Sequence, residues 1–314
     1  MTNFKLGLCC ISLKLQEKDI RASTMTRKRF LQLERKTAER TVADRTLNNV
    51  CVTRKTLELC ASKGWNYRVS SGMMPLETLP EVGLSIDKTY NFDKIKREFE
   101  LCADIIKKNN IRCSTHPDQF VVPASANPKT VDKSVQELIM HGRMMDMLQL
   151  PQSYDAPINI HMNCFKGADL KDIAKRFIDV YNTLPVSVKS RLVLENEDKP
   201  NSWNAQQLYD HIYQQVGIPI TYDNLHFRCN PGNLTAKDAV KLSRSTWKNT
   251  IPIFHFSDND PKNSNVRAHA DYATSFPDEY KSYDGELHLE MEFKAKDYAI
   301  EKFQLDILNK LKLK

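Results

Sequence analysis

None of the eight cysteines forms a C-x-x-C pair, and no Cys/His spacing in the chain is finger-like. A disulfide framework is excluded on that count, and a reducing compartment is expected. Cys9, Cys113 and Cys164 sit in apolar runs, where a thiol behaves as a small hydrophobe. The sequence also lacks an uninterrupted apolar run of the ~18 residues that a membrane span needs, and it has no charged-then-apolar leader. The expectation is an intracellular protein, in cytoplasm or nucleoid/nucleus, with no signal peptide and no membrane contact. Nine glycines and fourteen prolines in 314 residues exclude a low-complexity chain. No internal repeat and no Gly/Ser-rich linker divides it.

What remains is ordinary globular composition, 41% hydrophobic and 27% charged, with a basic balance of +7 and a pI near 8.8. That balance suits a polyanionic partner without requiring one. The excess is local. Between Lys14 and Arg45 there are ten Lys or Arg against five acids. The segment reads either as a solvated face or as a phosphate-contacting insertion near the mouth of a site.

Short β-rich apolar runs alternate with helix-period segments, the pattern of a parallel sheet covered by helices. Strands are expected at 5–12, 65–70, 111–115, 156–163, 191–196, 217–223, 251–257 and 286–293. Helices are expected at 43–62, ending at Gly64, and at 128–148, opened by Asn127-Pro128. A capping box is expected at Thr235-x-x-Asp238. A final helix from about 296 carries Ile300, Phe303, Ile307 and Leu311 on one stripe. Eight strand–helix units over 1–314 predict a single α/β domain, a (β/α)8 TIM barrel, with an open doubly wound sheet as the alternative.

Five of the eight histidines fall at or just beyond an expected strand end: His116, His161, His226, His255 and His269. Glu195, Asp223 and Glu292 occupy matching positions. In a parallel barrel these ends converge on one face, where active sites lie. Glu195 closes a fully apolar strand, and a buried carboxylate needs a partner or a cation. Each histidine alone would read as a hydrogen-bonded structural residue; one convergent cluster explains all eight placements together. Histidine plus carboxylate without cysteine suits Zn²⁺ or Mn²⁺, and eight ligands imply two or three ions. Paired ions serve phosphodiester hydrolysis and also sugar isomerisation, and the residues alone leave both open.

The segments HPDQF (116–120), IHMN (160–163), LEN (194–196), DNLH (223–226), IFHFS (253–257), RAHA (267–270) and EFKAK (292–296) occur in the order and spacing of the UV damage endonuclease family. KLG (5–7), RVSS (68–71) and NDPK (259–262) fit it too, so the resemblance covers essentially the whole chain. That family is similar to the apurinic-site endonucleases on the same barrel, with clustered divalent ions, often Mn²⁺. The resemblance implies damaged double-stranded DNA as partner, a nick 5′ to the lesion leaving 3′-hydroxyl and 5′-phosphate, and no nucleotide cofactor.

Residue by residue, it implies His116 and His161 as ligands of a first ion that Glu195 bridges to a second. Asp223, His255 and Glu292 complete the second, and His226 and His269 hold a third. Gln119 and Phe120 match the pair that probes the duplex, and a polar–apolar pair just past a ligand suits a wedge that unstacks a base step. Three positions depart from the pattern. Leu8 stands where an aromatic residue is common, which bears on the damage probe. Ile253 stands where some members carry a modified lysine, and Gly72 where some have histidine; both bear on the third metal site.

Overall fold

Hydrogen bonding in the computed structural model, which describes residues 3–79, 82, 84–163, 169–200 and 202–308, places eight parallel strands in one sheet. They are β1 Asn3–Cys9, β2 Asn66–Val69, β3 Cys113–Thr115 and β4 Ile158–Ile160, followed by β5 Leu192–Glu195, β6 Ile220–Thr221, β7 Ile253–Phe256 and β8 Glu286–Met291. Their order is β6-β5-β4-β3-β2-β1-β8-β7. The two outer strands meet through a parallel bridge between Asp223 and His255, and the His255 N–H donates to Tyr222 O at 2.9 Å. The sheet therefore curls into a ring with helices between successive strands. This is the expected TIM barrel, and the open doubly wound sheet is excluded.

β2 to β8 fall inside their expected runs, β1 starts two residues before its run and ends at Cys9, and several are shorter than expected. β6 pairs over only two of the seven expected residues and β4 over three of eight. Barrel strands tilt and fan apart at their ends, so the ladder holds at the centre while the apolar run continues into the loop.

The first long helix, Arg35–Lys63, begins eight residues before the expected start. Glu34 caps it, accepting from Thr37 N at 3.0 Å. Its opening turns are hard to read from sequence because they bury only Ala38 and Val42, against a satellite cluster with Met25, Phe30 and Val82. It stops at Gly64, whose φ of +68° is left-handed. Asn127 caps its helix as expected; Thr235 caps its helix by accepting from Asp238 N, but the Asp238 carboxylate accepts from Thr235 Oγ1 in place of the backbone N–H that the expected capping box requires. The last helix, Lys296–Phe303, buries Ile300 and Phe303. Leu311 and Cys164 lie outside the described residues. The seven described cysteines are free, and no described helix is long and apolar enough to cross a membrane.

Strand alternation sorts the side chains. Leu287, Leu289 and Met291 of β8 join the core under the helices, whereas His288 and Glu290 point to the barrel axis. On β1, a Cβ at Gly7 would meet Asn66 and Glu290 at 3.6 Å, so Gly7 faces inward. Leu8, fully buried with the outer core, faces away. The position where an aromatic probe was sought thus points to the helices, and Cys10 lines the cavity instead.

Candidate metal centre

The C-terminal ends of six strands deliver the predicted ligands to one mouth. His116 and His161 each follow their strand by one residue, Glu195 ends β5, His255 sits within β7, and Glu292 follows β8. Asp223 reaches the site as the cap of helix Asn224–Cys229. Its Oδ1 accepts from His226 N at 2.6 Å, which turns His226 inward on the first helical turn. The Asn196 amide clamps this corner, donating to Asp223 O at 3.1 Å and accepting from Asp223 N at 2.9 Å.

Glu195, 1% exposed, is the hub. Its Oε2 lies 3.1 Å from His116 Nε2 and 3.6 Å from His161 Nε2. Its Oε1 lies 3.0 Å from His226 Nδ1 and 3.2 Å from His255 Nδ1. Among the predicted ligands, three sets of potential ligand atoms each fall within 4.8 Å of one another: His116–His161–Glu195, Glu195–Asp223–His226 and Asp223–His255–Glu292. Glu195 and Asp223 each belong to two sets. His226 is thereby grouped with the central carboxylates and not with His269, which stands beside Glu292 with its Nδ1 3.8 Å from Oε2.

The electrostatics follow from this packing. Burial pushes the Glu195 carboxyl up, but His255, His161, His116 and His226 outweigh it and hold the group well below the usual carboxylate range. Glu292 is likewise held low, burial being outweighed by Arg68 and His255. Asp223 is pushed up, first by burial and then by Glu195 and Glu292, despite His226. Burial and the neighbouring imidazoles push His161 down to about 3, so it stays neutral and able to ligate.

These residues fit divalent cations. His161 Nδ1, Asp223 Oδ2 and His255 Nδ1 are buried without a hydrogen-bond partner. Orphaned polar atoms gathered at ligand spacing are what a cation satisfies. Arg68 pairs with Glu290 and Glu292, whereas Glu195 and Asp223 are met by imidazoles, of which these carboxylates push His226 and His255 up despite burial, so the cluster draws positive charge that a cation would supply. The donor set, imidazole and carboxylate, suits Mn²⁺ or Zn²⁺.

The centre floors a cavity of about 730 Å³ whose lining includes Arg68, Gln119, Phe120, Lys199 and Arg267. Gln119 and Phe120 sit at the crest of a turn closed by Val121 N to Asp118 O at 3.0 Å, and Phe120 is 75% exposed. Behind that crest lies a second cavity, of about 820 Å³, lined by Arg27, Leu79 and Lys133. The basic amino-terminal segment therefore reaches the face that carries Phe120. Much of its charge is internal: Arg35 bonds Glu39 and Val82 O, and Lys14 pairs with Glu301. Of the departures, Ile253 is buried on the inward face two residues before His255, and Gly72 is exposed within the 3-10 turn Ser71–Met73.

Sequence reasoning missed the polar groups that hold the ligands. Asn159 Nδ2 donates to Glu195 Oε2. Arg68 bonds both Glu290 and Glu292. The one available signal was the period of two that puts Glu290 and Glu292 on one face.

Comparison with family models matches residues 4–313 to the family described as UV-endonuclease UvdE. The chain belongs to the UV-endonuclease family. The UV DNA damage endonuclease of a Nostoc species is 30% identical over 305 residues, covering 94% of this chain and 88% of that one. The crystal structure of SacUVDE superposes with a TM-score of 0.80 at 25% identity, over 98% of this chain and 100% of that one. Endonuclease IV from Thermus thermophilus shares the fold, with a TM-score of 0.53 at 14% identity over 80% and 93% of the two chains. This UV-endonuclease is thus a DNA repair endonuclease on a TIM barrel.

Proposed function

We propose that this protein nicks damaged double-stranded DNA 5′ to UV photoproducts and other distorting lesions, by phosphodiester hydrolysis supported by two or three divalent cations, Mn²⁺ or Zn²⁺. The observation that carries the reading is the single buried carboxylate of Glu195 ringed by four imidazoles at the floor of an open cavity. On this reading His116 and His161 would hold one cation and Asp223, His255 and Glu292 a second, with Glu195 shared between them. His226 completes a third group with Glu195 and Asp223, and His269 serves as an outer ligand. Bound there, the ions supply a nucleophile near neutral pH and stabilise the attacking and leaving oxygens of an in-line displacement.

The protein's own groups do the rest. Glu195 and Asp223, each shared by two ligand sets, fix the spacing of the centre. Lys199 and Arg267, in the cavity lining, face the place a scissile phosphate must occupy to meet it. The Gln119–Phe120 crest enters the base stack where a lesion has weakened it, an apolar wedge beside a polar one. Arg27 and Lys133 lie on the far side of the crest, within reach of backbone phosphates there.

Incubating the purified protein and Mn²⁺ with a duplex bearing one cyclobutane dimer tests the proposal. The expected product is a single nick immediately 5′ to the dimer. An intact lesion strand with Mn²⁺ and with Zn²⁺, across a range of salt, overturns it.

A further inference from the structure

Below the ligands, the barrel interior carries one more carboxylate. Glu290 is 4% exposed on β8, in register with His255 on β7 and one inward step deeper than Glu292. A buried carboxylate is costly unless its oxygens are engaged. Here both are. The Ser114 hydroxyl donates to Oε1, and Arg68 donates to Oε2 at 3.2 Å. Oε2 also lies 3.2 Å from His255 Nε2. The other ring nitrogen, Nδ1, faces Glu195 and Glu292, at 3.2 Å from each.

Cys9, Glu290 and Glu292 together have ligand spacing as well. That position already has its cation, because the Arg68 guanidinium bonds both carboxylates. Glu290 is not free to ligate because Ser114 engages its Oε1 and Arg68 its Oε2, whereas Arg68 bonds Glu292 through Oε1 alone. Three strands hold it: Arg68 from β2, Ser114 from β3 and its own place on β8.

We propose that Glu290 is the positioning residue for His255, accepting the Nε2–H so that the Nδ1 lone pair is left available for the second cation. A ligating histidine whose far nitrogen is tied to a carboxylate has its tautomer and ring orientation fixed and its basicity raised, and losing such a partner weakens metal binding by roughly 10–100-fold. His255 is where this matters most, since it is 1% exposed and no water can substitute. Ser114 acts one step further out, by fixing the carboxylate that fixes the ring. The inference rests on the proposed reading of His255 as a ligand and assigns it a partner.

The test is Mn²⁺ titration by calorimetry, with the Mn²⁺-dependent rise in Tm and the visible spectrum of the Co²⁺-loaded protein, on the wild type and three variants. Glu290→Ala is expected to lose about 10–100-fold in affinity for one Mn²⁺ and to alter the Co²⁺ spectrum. Glu290→Gln, which keeps a carbonyl acceptor for Nε2–H, is expected to retain most of the affinity and the wild-type spectrum. Ser114→Ala is expected to lose affinity by less than Glu290→Ala, and it carries the test if the latter fails to fold. Wild-type affinity in Glu290→Ala overturns the inference alone, as does Glu290→Gln losing as much as Glu290→Ala, or unchanged binding in Ser114→Ala where that variant carries the test. A wild-type protein that binds no divalent metal overturns both this inference and the proposed function.

Discussion

Glu195 and Asp223 stand in one buried cluster and are pushed in opposite directions. Four imidazoles hold the first carboxyl well below its usual range, while burial and two neighbouring carboxylates push the second up. In such a cluster the imidazoles favour the ionised Glu195 carboxylate, while burial and like charge oppose ionisation of Asp223, an opposition that a bound cation would relieve.

Replacing Glu195 by Ala is expected to abolish Mn²⁺-dependent nicking, a loss of at least about 100-fold, because it removes an oxygen donor shared by two ligand sets. His269→Ala, which removes a group outside the three sets, is expected to cost about 10-fold. Single-turnover cleavage with bound metal measured in parallel separates the two. Equal losses would remove the distinction between hub and periphery.

Chelation is expected to lower Tm, and Mn²⁺ to restore it by mass action, about 2.7 kcal/mol at a hundredfold excess over Kd. The expected stoichiometry is two to three ions per chain, read by elemental analysis of protein dialysed against Mn²⁺. One ion, or none, contradicts the multi-ion reading.

Phe120→Ala is expected to leave Tm within the small range typical of surface changes, about 0.5 kcal/mol, because the ring is 75% exposed. Cleavage beside a cyclobutane dimer is expected to fall more than cleavage at an apurinic site, where a base is already missing. Side-by-side rates on the two substrates decide. A uniform fall would make Phe120 a general contact, and higher activity on the apurinic site in the wild type would favour an apurinic-site endonuclease.

Binding to lesion duplex is expected to weaken steeply with salt, with a log–log slope near −0.9 per phosphate contact. Arg27→Ala, on the cavity behind Phe120, is expected to make that slope shallower by about 1. An unchanged slope places Arg27 off the DNA path.

Acid stability should reflect His141. It is fully buried on helix Pro128–Met147, with Nδ1 2.9 Å from Thr115 Oγ1 and Nε2 without a partner. Burial, helped by His116, pushes its pKa down to about 3. Between pH 6.5 and 3 the unfolded chain therefore binds a proton that the folded chain does not. Stability falls as pH falls through that window, by at most about 1.4 kcal/mol per pH unit from this residue. Denaturant melts of His141→Gln at pH 7, 5.5 and 4.5 should show a shallower acid limb. An identical limb would place the proton uptake elsewhere.

The candidate ligands were legible in the sequence because each ends or follows an apolar strand run, and a parallel barrel turns that single local fact into convergence. His116, His161, Glu195, Asp223 and Glu292 needed no long-range information beyond the count of eight strands. Their grouping did. His226 joins Glu195 and Asp223 because Asp223 caps a helix one turn long, a detail of backbone geometry that periodicity does not encode.

Strand identity, helix caps and the ligand roster were set by chemistry local in the chain: apolar period, capping side chains, a carboxylate or imidazole at a strand end. The start of helix Arg35–Lys63, the outward turn of Leu8 and the Arg68–Glu290–Ser114 support under His255 were decided only on folding. Those features join residues up to 222 positions apart. Such contacts depend on which strands become neighbours and how far the ring tilts, and no window of sequence contains both partners.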